Sequence, residues 1–298
     1  MLQSPIVHLI QFLKETFFVP LRSKFSTTIF LLTLAAAISV SGQATEKKDA
    51  KKPKASPTPA VRSAAAAKEA IKNPTAEQLA ETSIFLYGMG GGRATLNQIR
   101  KTGIERGKVS VANAEGKMEQ ANYQRFTTRG DTLGKDKIRL DQEFPTARYS
   151  LVFADEKIFG IFNDTVFTPR EDASRAFQNQ IVYGVETLLR YKENESKLEL
   201  VGKEKIAGVD LHVLDVVDKQ NRKTRVYLSA KSFRVMMLEY DDEGIKFRRK
   251  FYDYNVAQGT LVAFRSVLYA GEKIVEETDI GTVTYGQKID DGMYLANP

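Results

Sequence analysis

Without thiols, chemistry in this chain would have to come from carboxylates, hydroxyls, basic side chains and a single histidine beyond the apolar N-terminal region. The 298 residues include no Cys and no Trp. Without cysteine there is no thiolate metal site, no cysteine nucleophile, no disulfide and no lipid-modified N-terminal cysteine. The two histidines are His8 and His212, and only His212 lies beyond the apolar N-terminal region. It belongs to Asp210-Leu211-His212-Val213-Leu214-Asp215, which alternates as a strand. His212 shares a face with Asp210, Leu214 and Val216, and Asp215 lies on the other face. No serine-nucleophile pattern accompanies it. A packed structural histidine accounts for the pattern, and neither enzymatic activity nor a cofactor is expected.

Two acidic clusters, Asp241-Asp242-Glu243-Gly244 and Asp290-Asp291, lack the alternating oxygen ligands of a calcium loop and read as turns. The glycine run Gly88-Met89-Gly90-Gly91-Gly92 fails as a dinucleotide fingerprint, because position 93 is Arg and a helix precedes it. It reads as a helix end and turn. Phe247-Arg248-Arg249-Lys250-Phe251-Tyr252 mixes basic and aromatic residues as a nucleic-acid strand would. Charge argues against that use. Of the net charge of +7, residues 1–44 hold +2 (Lys14, Arg22 and Lys24 against Glu15). Residues 45–63 hold +4, from six basic and two acidic side chains. The remaining +1 leaves residues 64–298 nearly neutral, so no nucleic-acid partner is expected.

The N-terminus explains the basic excess. Ile29–Val40 is an uncharged apolar run after Arg22 and Lys24, followed by Ser41-Gly42-Gln43-Ala44. This order predicts a secretory signal over 1–44 with cleavage after Ala44. The run is short of the roughly 20 residues that span a bilayer, and an uncleaved anchor is the alternative. Apolar residues further upstream, in Ile6–Leu21, would suit a membrane-surface segment. Residues 45–63 are rich in Lys, Pro, Ala, Ser and Thr and predict a solvated linker. A tether to anionic headgroups is the alternative use of its charge.

Residues 64–298 form the domain that must position everything else. A helix is expected after Asn73-Pro74-Thr75, with Leu79, Phe85, Leu86 and Met89 along one side. From Gly107 short β-rich runs alternate with turns such as Asn113-Ala114-Glu115-Gly116, Asn163-Asp164 and Gly271-Glu272. Thirteen such runs in two series predict a hairpin meander. That many strands should curl into a barrel or half-barrel. One long central helix, about residues 170–190, interrupts them, with Ala173, Phe177, Ile181, Val185, Leu188 and Leu189 on its apolar stripe. The fold class is therefore mainly β with helices (α+β): a curled antiparallel sheet of about 11–13 strands forming an unclosed β-barrel. An N-terminal helix and a central helix cover it.

The apolar stripe of the central helix needs cover, and the concave side of the sheet supplies it. Tyr149, Leu151 and Phe153 share one strand face, and the neighbouring run Lys157–Phe162 carries Phe159 and Ile161. These five, with Phe177, Ile181, Val185, Leu188 and Leu189 of the helix, either fill a core or line a cavity between sheet and helices.

The order of these elements resembles a known family. The helix ending in Gly90-Gly91-Gly92, the amphipathic stretch Ala94–Ile104, and a strand beginning Glu105-Arg106-Gly107-Lys108 open the series. Leu200-Val201-Gly202-Lys203-Glu204-Lys205-Ile206-Ala207-Gly208-Val209 leads into a later strand, and Thr284-Tyr285-Gly286-Gln287-Lys288-Ile289-Asp290-Asp291-Gly292-Met293-Tyr294 lies near the end. Over residues 70–298 the chain resembles the outer-membrane lipoprotein-sorting (LolA-like) superfamily. The resemblance implies a half-barrel with a helical lid over a cavity that takes acyl chains of a lipid or lipoprotein. It further implies a periplasmic carrier or chaperone acting as a monomer, without covalent chemistry, between inner- and outer-membrane partner proteins. Such a carrier has an arginine touching its lid, for which Arg125, Arg129, Arg139 and Arg148 are the candidates. The tryptophan that relatives often carry in the middle strands is missing, with Phe159 and Phe162 nearby. Burying one palmitoyl-length chain would gain on the order of 12 kcal/mol gross. Tyr149 and Tyr183 are candidates for polar groups that weaken the hold. The alternative is an envelope interaction or scaffold module whose barrel is filled by its own side chains.

Overall fold

The computed structural model describes residues 74–113 and 115–296. The expected signal, the linker and the first part of the domain lie outside these residues. Thirteen strands form one antiparallel sheet: β1 (Thr102–Ala112), β2 (Met118–Thr128), β3 (Lys137–Glu143), β4 (Arg148–Ala154), β5 (Lys157–Phe162), β6 (Thr165–Phe167), β7 (Lys197–Ile206), β8 (Val209–Val217), β9 (Lys223–Ser229), β10 (Val235–Asp242), β11 (Ile245–Ala257), β12 (Thr260–Ala270) and β13 (Lys273–Tyr285). Their spatial order is β6-β5-β4-β3-β2-β1-β13-β12-β11-β10-β9-β8-β7. The first and last strands pair in the middle, with Val109 opposite Thr278 and Ile104 opposite Thr284. The two edges, β6 and β7, are the strands that flank the helical insertion. The sheet is curled and unclosed, as expected.

Local chemistry explains the hairpins. Two-residue turns at Asp155-Glu156, Asn163-Asp164, Ala207-Gly208, Glu243-Gly244 and Gln258-Gly259 all take positive φ, the twist that suits tight antiparallel connections. Register shifts at Arg106/Gly107, Leu200/Gly202, Val235/Met237 and Leu268/Tyr269 bend the strands. Gly107 is indispensable at the first of these. A Cβ there would lie 2.1 Å from the Asp279 carbonyl oxygen and 3.0 Å from the Tyr123 ring. Gly107→Ala should therefore cost about 2–3 kcal/mol of unfolding free energy, read by urea titration. A loss below about 0.5 kcal/mol would show that the bulge relaxes freely.

Four α-helices lie among the described residues: α1 (Ala76–Tyr87), α2 (Gly92–Ile99), α3 (Glu171–Val182) and α4 (Glu186–Leu189). Thr75 and Gln78 form a capping box at the start of α1, with bonds of 2.9 and 3.2 Å. The chain stops at Gly88 and turns through Gly91 into α2. Two expectations need correction. The amphipathic stretch expected over 94–104 is helical only as far as Ile99, and the strand then begins at Thr102, not 105. The single helix expected over 170–190 is broken at Tyr183-Gly184-Val185. Tyr183 leaves the helix to stack on Tyr240, centroids 4.0 Å apart. The Thr187 hydroxyl donates to the Val182 carbonyl at 2.7 Å, taking the place of a helical amide. An apolar stripe does not record such a break, because residues on both sides still face the sheet.

The helices cover the two halves of the sheet separately. Leu79, Ala80, Ile84 and Tyr87 of α1 pack with Leu188 and Leu189 of α4 against Leu214, Val226, Leu228 and Leu238. Ala173, Phe177 and Ile181 of α3 pack against Val109, Ala121, Leu140, Leu151 and Phe153. The space between these two cores is where the molecule is hollow. No helix among the described residues is long and apolar enough to cross a membrane.

Candidate functional site

A cavity of about 320 Å³ opens between the two cores, beneath residues 180–186. That is the lower end of the roughly 300–1,000 Å³ of small-molecule sites. One apolar wall comes from Ile104, Val109, Ile138 and Leu140 of β1 and β3, the other from Phe251 and Leu261 of β11 and β12. Gln180, Ile181, Gly184, Val185 and Glu186 form the roof.

Of the ten residues expected at a cavity, Ile181 and Val185 line it. Tyr149, Leu151, Phe153 and Phe177 lie in the packed core under α3. Leu188 and Leu189 lie in the core under α1. Phe159 and Ile161 point to the opposite side of the sheet. Register explains their position: they pair with Val152 and Ser150, not with the faces of Leu151 and Phe153. There they meet Tyr294 and Ile289 of the C-terminal segment. Tyr149 stacks on Phe144 at 6.0 Å, and burial alone pushes its hydroxyl above the ordinary tyrosine range.

The cavity wall is also charged, which no local pattern announces. Arg100, Arg125, Arg129 and Arg249 line it together with Glu105, Asp136, Glu186 and Glu276. At one end Arg249 donates to Glu276 at 2.7 Å, and Gln180 of the roof donates to the same carboxylate at 3.1 Å. Tyr123 donates to Glu105 at 2.7 Å. At the other end Arg100 and Arg129 both pair with Glu186 of α4, the Arg100 bond being 2.9 Å. Burial would raise the Glu186 pKa, but Arg129, Arg100 and Arg190 overrule it and hold the carboxyl at about 2. Arg100 also donates to the Leu261 carbonyl at 2.7 Å and stacks over the Tyr285 ring. Nη1 of Arg190 donates to both carboxylate oxygens of Asp136, at 2.8 and 2.9 Å, each side chain 4% exposed. The Gly130 amide donates to Asp136 and its carbonyl accepts from Arg190, at 2.8 and 2.7 Å.

Of the four arginine candidates for touching the lid, Arg129 reaches α4 through Glu186. Arg125 lines the cavity. Arg139 turns to Asp141 and Ser150, and Arg148 is exposed. The remaining clusters have structural explanations. Asp242 accepts from Asn179 at 2.8 Å and Glu243 pairs with Arg175, so the acidic β10–β11 turn tethers α3. Asp290 caps the C-terminal turn through the Gly292 amide at 3.1 Å. His212 is buried beside Phe233, and burial and then Lys203 lower its pKa. In β11, Arg248 pairs with Glu239 and Lys250 lies over Tyr269, while Phe247, Arg249 and Phe251 point inward.

No protein-family model matches the chain, and no curated protein matches it. Solved structures do. A LolA superfamily protein from Nitrosomonas europaea aligns with a TM-score of 0.54 at 11% identity, over 74% of this chain and 98% of that one. A DUF1329 family protein from Desulfovibrio piger aligns with a TM-score of 0.52 at 12% identity, over 75% of this chain and 98% of that one. At such identities the likeness is one of architecture: the chain has a LolA-like fold.

Proposed function

We propose that this chain is a periplasmic carrier or chaperone that holds the acyl chain of a lipid or lipoprotein between its curved sheet and its helices, without covalent chemistry. The observation that carries this reading is the cavity under residues 180–186, walled by aliphatic side chains from both halves of the sheet. Burial of acyl methylenes there supplies the affinity, about 0.8 kcal/mol for each. The Glu186 pairs with Arg100 and Arg129 join the roof to the sheet, and they must part if the roof is to lift for loading. In this reading the protein acts as a monomer, and membrane proteins of the inner and outer membranes serve as donor and acceptor.

The test fills the cavity. Ala263 lines it from β12, and Ala263→Trp should lower the affinity for a fluorescent acyl probe by about tenfold or more. Far-UV circular dichroism should stay that of the parent. Probe binding equal in the two proteins, or absent from the parent, would refute the carrier. A scaffold role draws support from the exposed Leu200 and Val201 on the edge strand β7 and Val209 at the start of β8. It predicts the second of those results.

A further inference from the structure

The carrier reading leaves open what kind of head group accompanies the acyl chain, and the Glu186 end of the cavity bears on it. Three guanidiniums, Arg100, Arg129 and Arg190, meet two carboxylates, Glu186 and Asp136. Asp136 is committed to Arg190 by both oxygens. Glu186 is shared between Arg100 and Arg129. The cluster therefore carries one positive charge more than its carboxylates balance.

Arg129 is the side chain left short. It is nine-tenths buried and lines the cavity. Its Nη2 donates to Glu186, but its Nη1 is buried and finds no acceptor among the described residues. A buried guanidinium with an unmade hydrogen bond is costly, and an oxyanion is the partner that satisfies it best. The aliphatic walls start from the same cavity, so a ligand lying along them can bring its polar end to this cluster.

We propose that Arg129, with Arg100 beside it, forms an oxyanion subsite, and that the ligand is a single alkyl chain ending in a carboxylate or a phosphate. This rests on the carrier reading and narrows it: neutral acyl chains fill only part of the site. The Arg249–Glu276 end of the cavity makes no equivalent offer, because Glu276 there accepts from Arg249, Gln180 and Thr278.

Four probes of equal chain length separate the possibilities at neutral pH: dodecanoate, dodecyl phosphate, dodecanol and methyl dodecanoate, each titrated calorimetrically into the full chain. The anions should bind at least about tenfold more tightly than the alcohol or the ester. A preference between carboxylate and phosphate tells a free fatty acid from a phospholipid-type head group. Arg129→Gln should bring the anions down to the affinity of the alcohol. Should that variant prove unfolded by circular dichroism, the wild-type series and its loss of selectivity in high salt decide the matter. Equal affinity of all four probes for the wild type would overturn the anion subsite and leave the carrier intact. Binding of none of them would overturn the carrier itself.

Discussion

Replacing Arg190 with leucine should remove about 3–5 kcal/mol of unfolding free energy. Arg190 joins α4 to the segment before β3 through Asp136 and the Gly130 carbonyl, at 2.7–2.9 Å, and both charged side chains are 4% exposed. Removing one partner of a buried pair leaves the other charge without compensation, which costs more than the pair itself contributes. The double variant Arg190→Leu with Asp136→Leu should recover much of the loss, though not all. Gly130 would still lose partners for both its amide and its carbonyl. Urea unfolding of the four proteins gives the coupling directly. The single variant should also regain stability on acidification. Burial raises the Asp136 pKa, and this outweighs the pull of Arg190 even in the parent protein. A carboxyl whose folded pKa is raised favours the folded state increasingly as pH falls through that pKa towards the unfolded value. A single-variant loss below about 1 kcal/mol, with no coupling in the double, would mean that this pair does not hold the roof to the sheet.

The parent protein should lose stability steeply in acid, and Glu186 should account for a large share. Its folded pKa of about 2 lies below the ordinary glutamate value of about 4.3. The sign follows from the depression. The contribution is complete above about pH 5 and disappears as pH falls towards 2, when the carboxyl protonates in the folded state as well. The side chain is 30% exposed, so the contribution is on the order of 2–3 kcal/mol, less than the full shift would imply. Glu186→Gln should be the less stable protein at neutral pH, because Arg100 and Arg129 lose their shared anion. The two stability curves should draw together below about pH 4 and converge as pH falls towards 2. Thermal unfolding across pH 2–7 measures both effects. Parallel curves would place the acid sensitivity elsewhere. Under the carrier reading the same variant loosens the roof, since Glu186 is the residue through which α4 meets the start of the β2–β3 connection and the α2–β1 junction.

Much of the architecture was readable from short-range pattern. Alternation along Lys137–Glu143 or Tyr149–Phe153, ended by turn residues, identifies strands because the side-chain period of two is a property of the backbone alone. Thr75 with Gln78, and the glycines after Tyr87, mark the ends of α1 for an equally local reason. The central helix shows the limit. Its apolar stripe runs through Val185 to Leu189, yet the chain leaves the helix at Tyr183 because a tyrosine of a distant strand offers a stacking partner. Sharing the same stripe, Ile181 comes to line the cavity while Leu188 fills the core under α1.

Sequence alone determined that this chain is cysteine-free and that its residues 64–298 are nearly neutral and make an antiparallel meander with helical inserts. Composition, charge and period are properties of neighbours along the chain. Only the tertiary structure decided that β1 pairs with β13, that the two free edges β6 and β7 flank the helical insertion, and that charged pairs line the hollow between the cores. Arg100, Arg129, Asp136, Glu186 and Arg190 come together from three separate segments: the α2–β1 junction, the β2–β3 connection and α4 with its cap. No spacing predicts that meeting, since it depends on how far the bulged strands coil and where the helices come to rest.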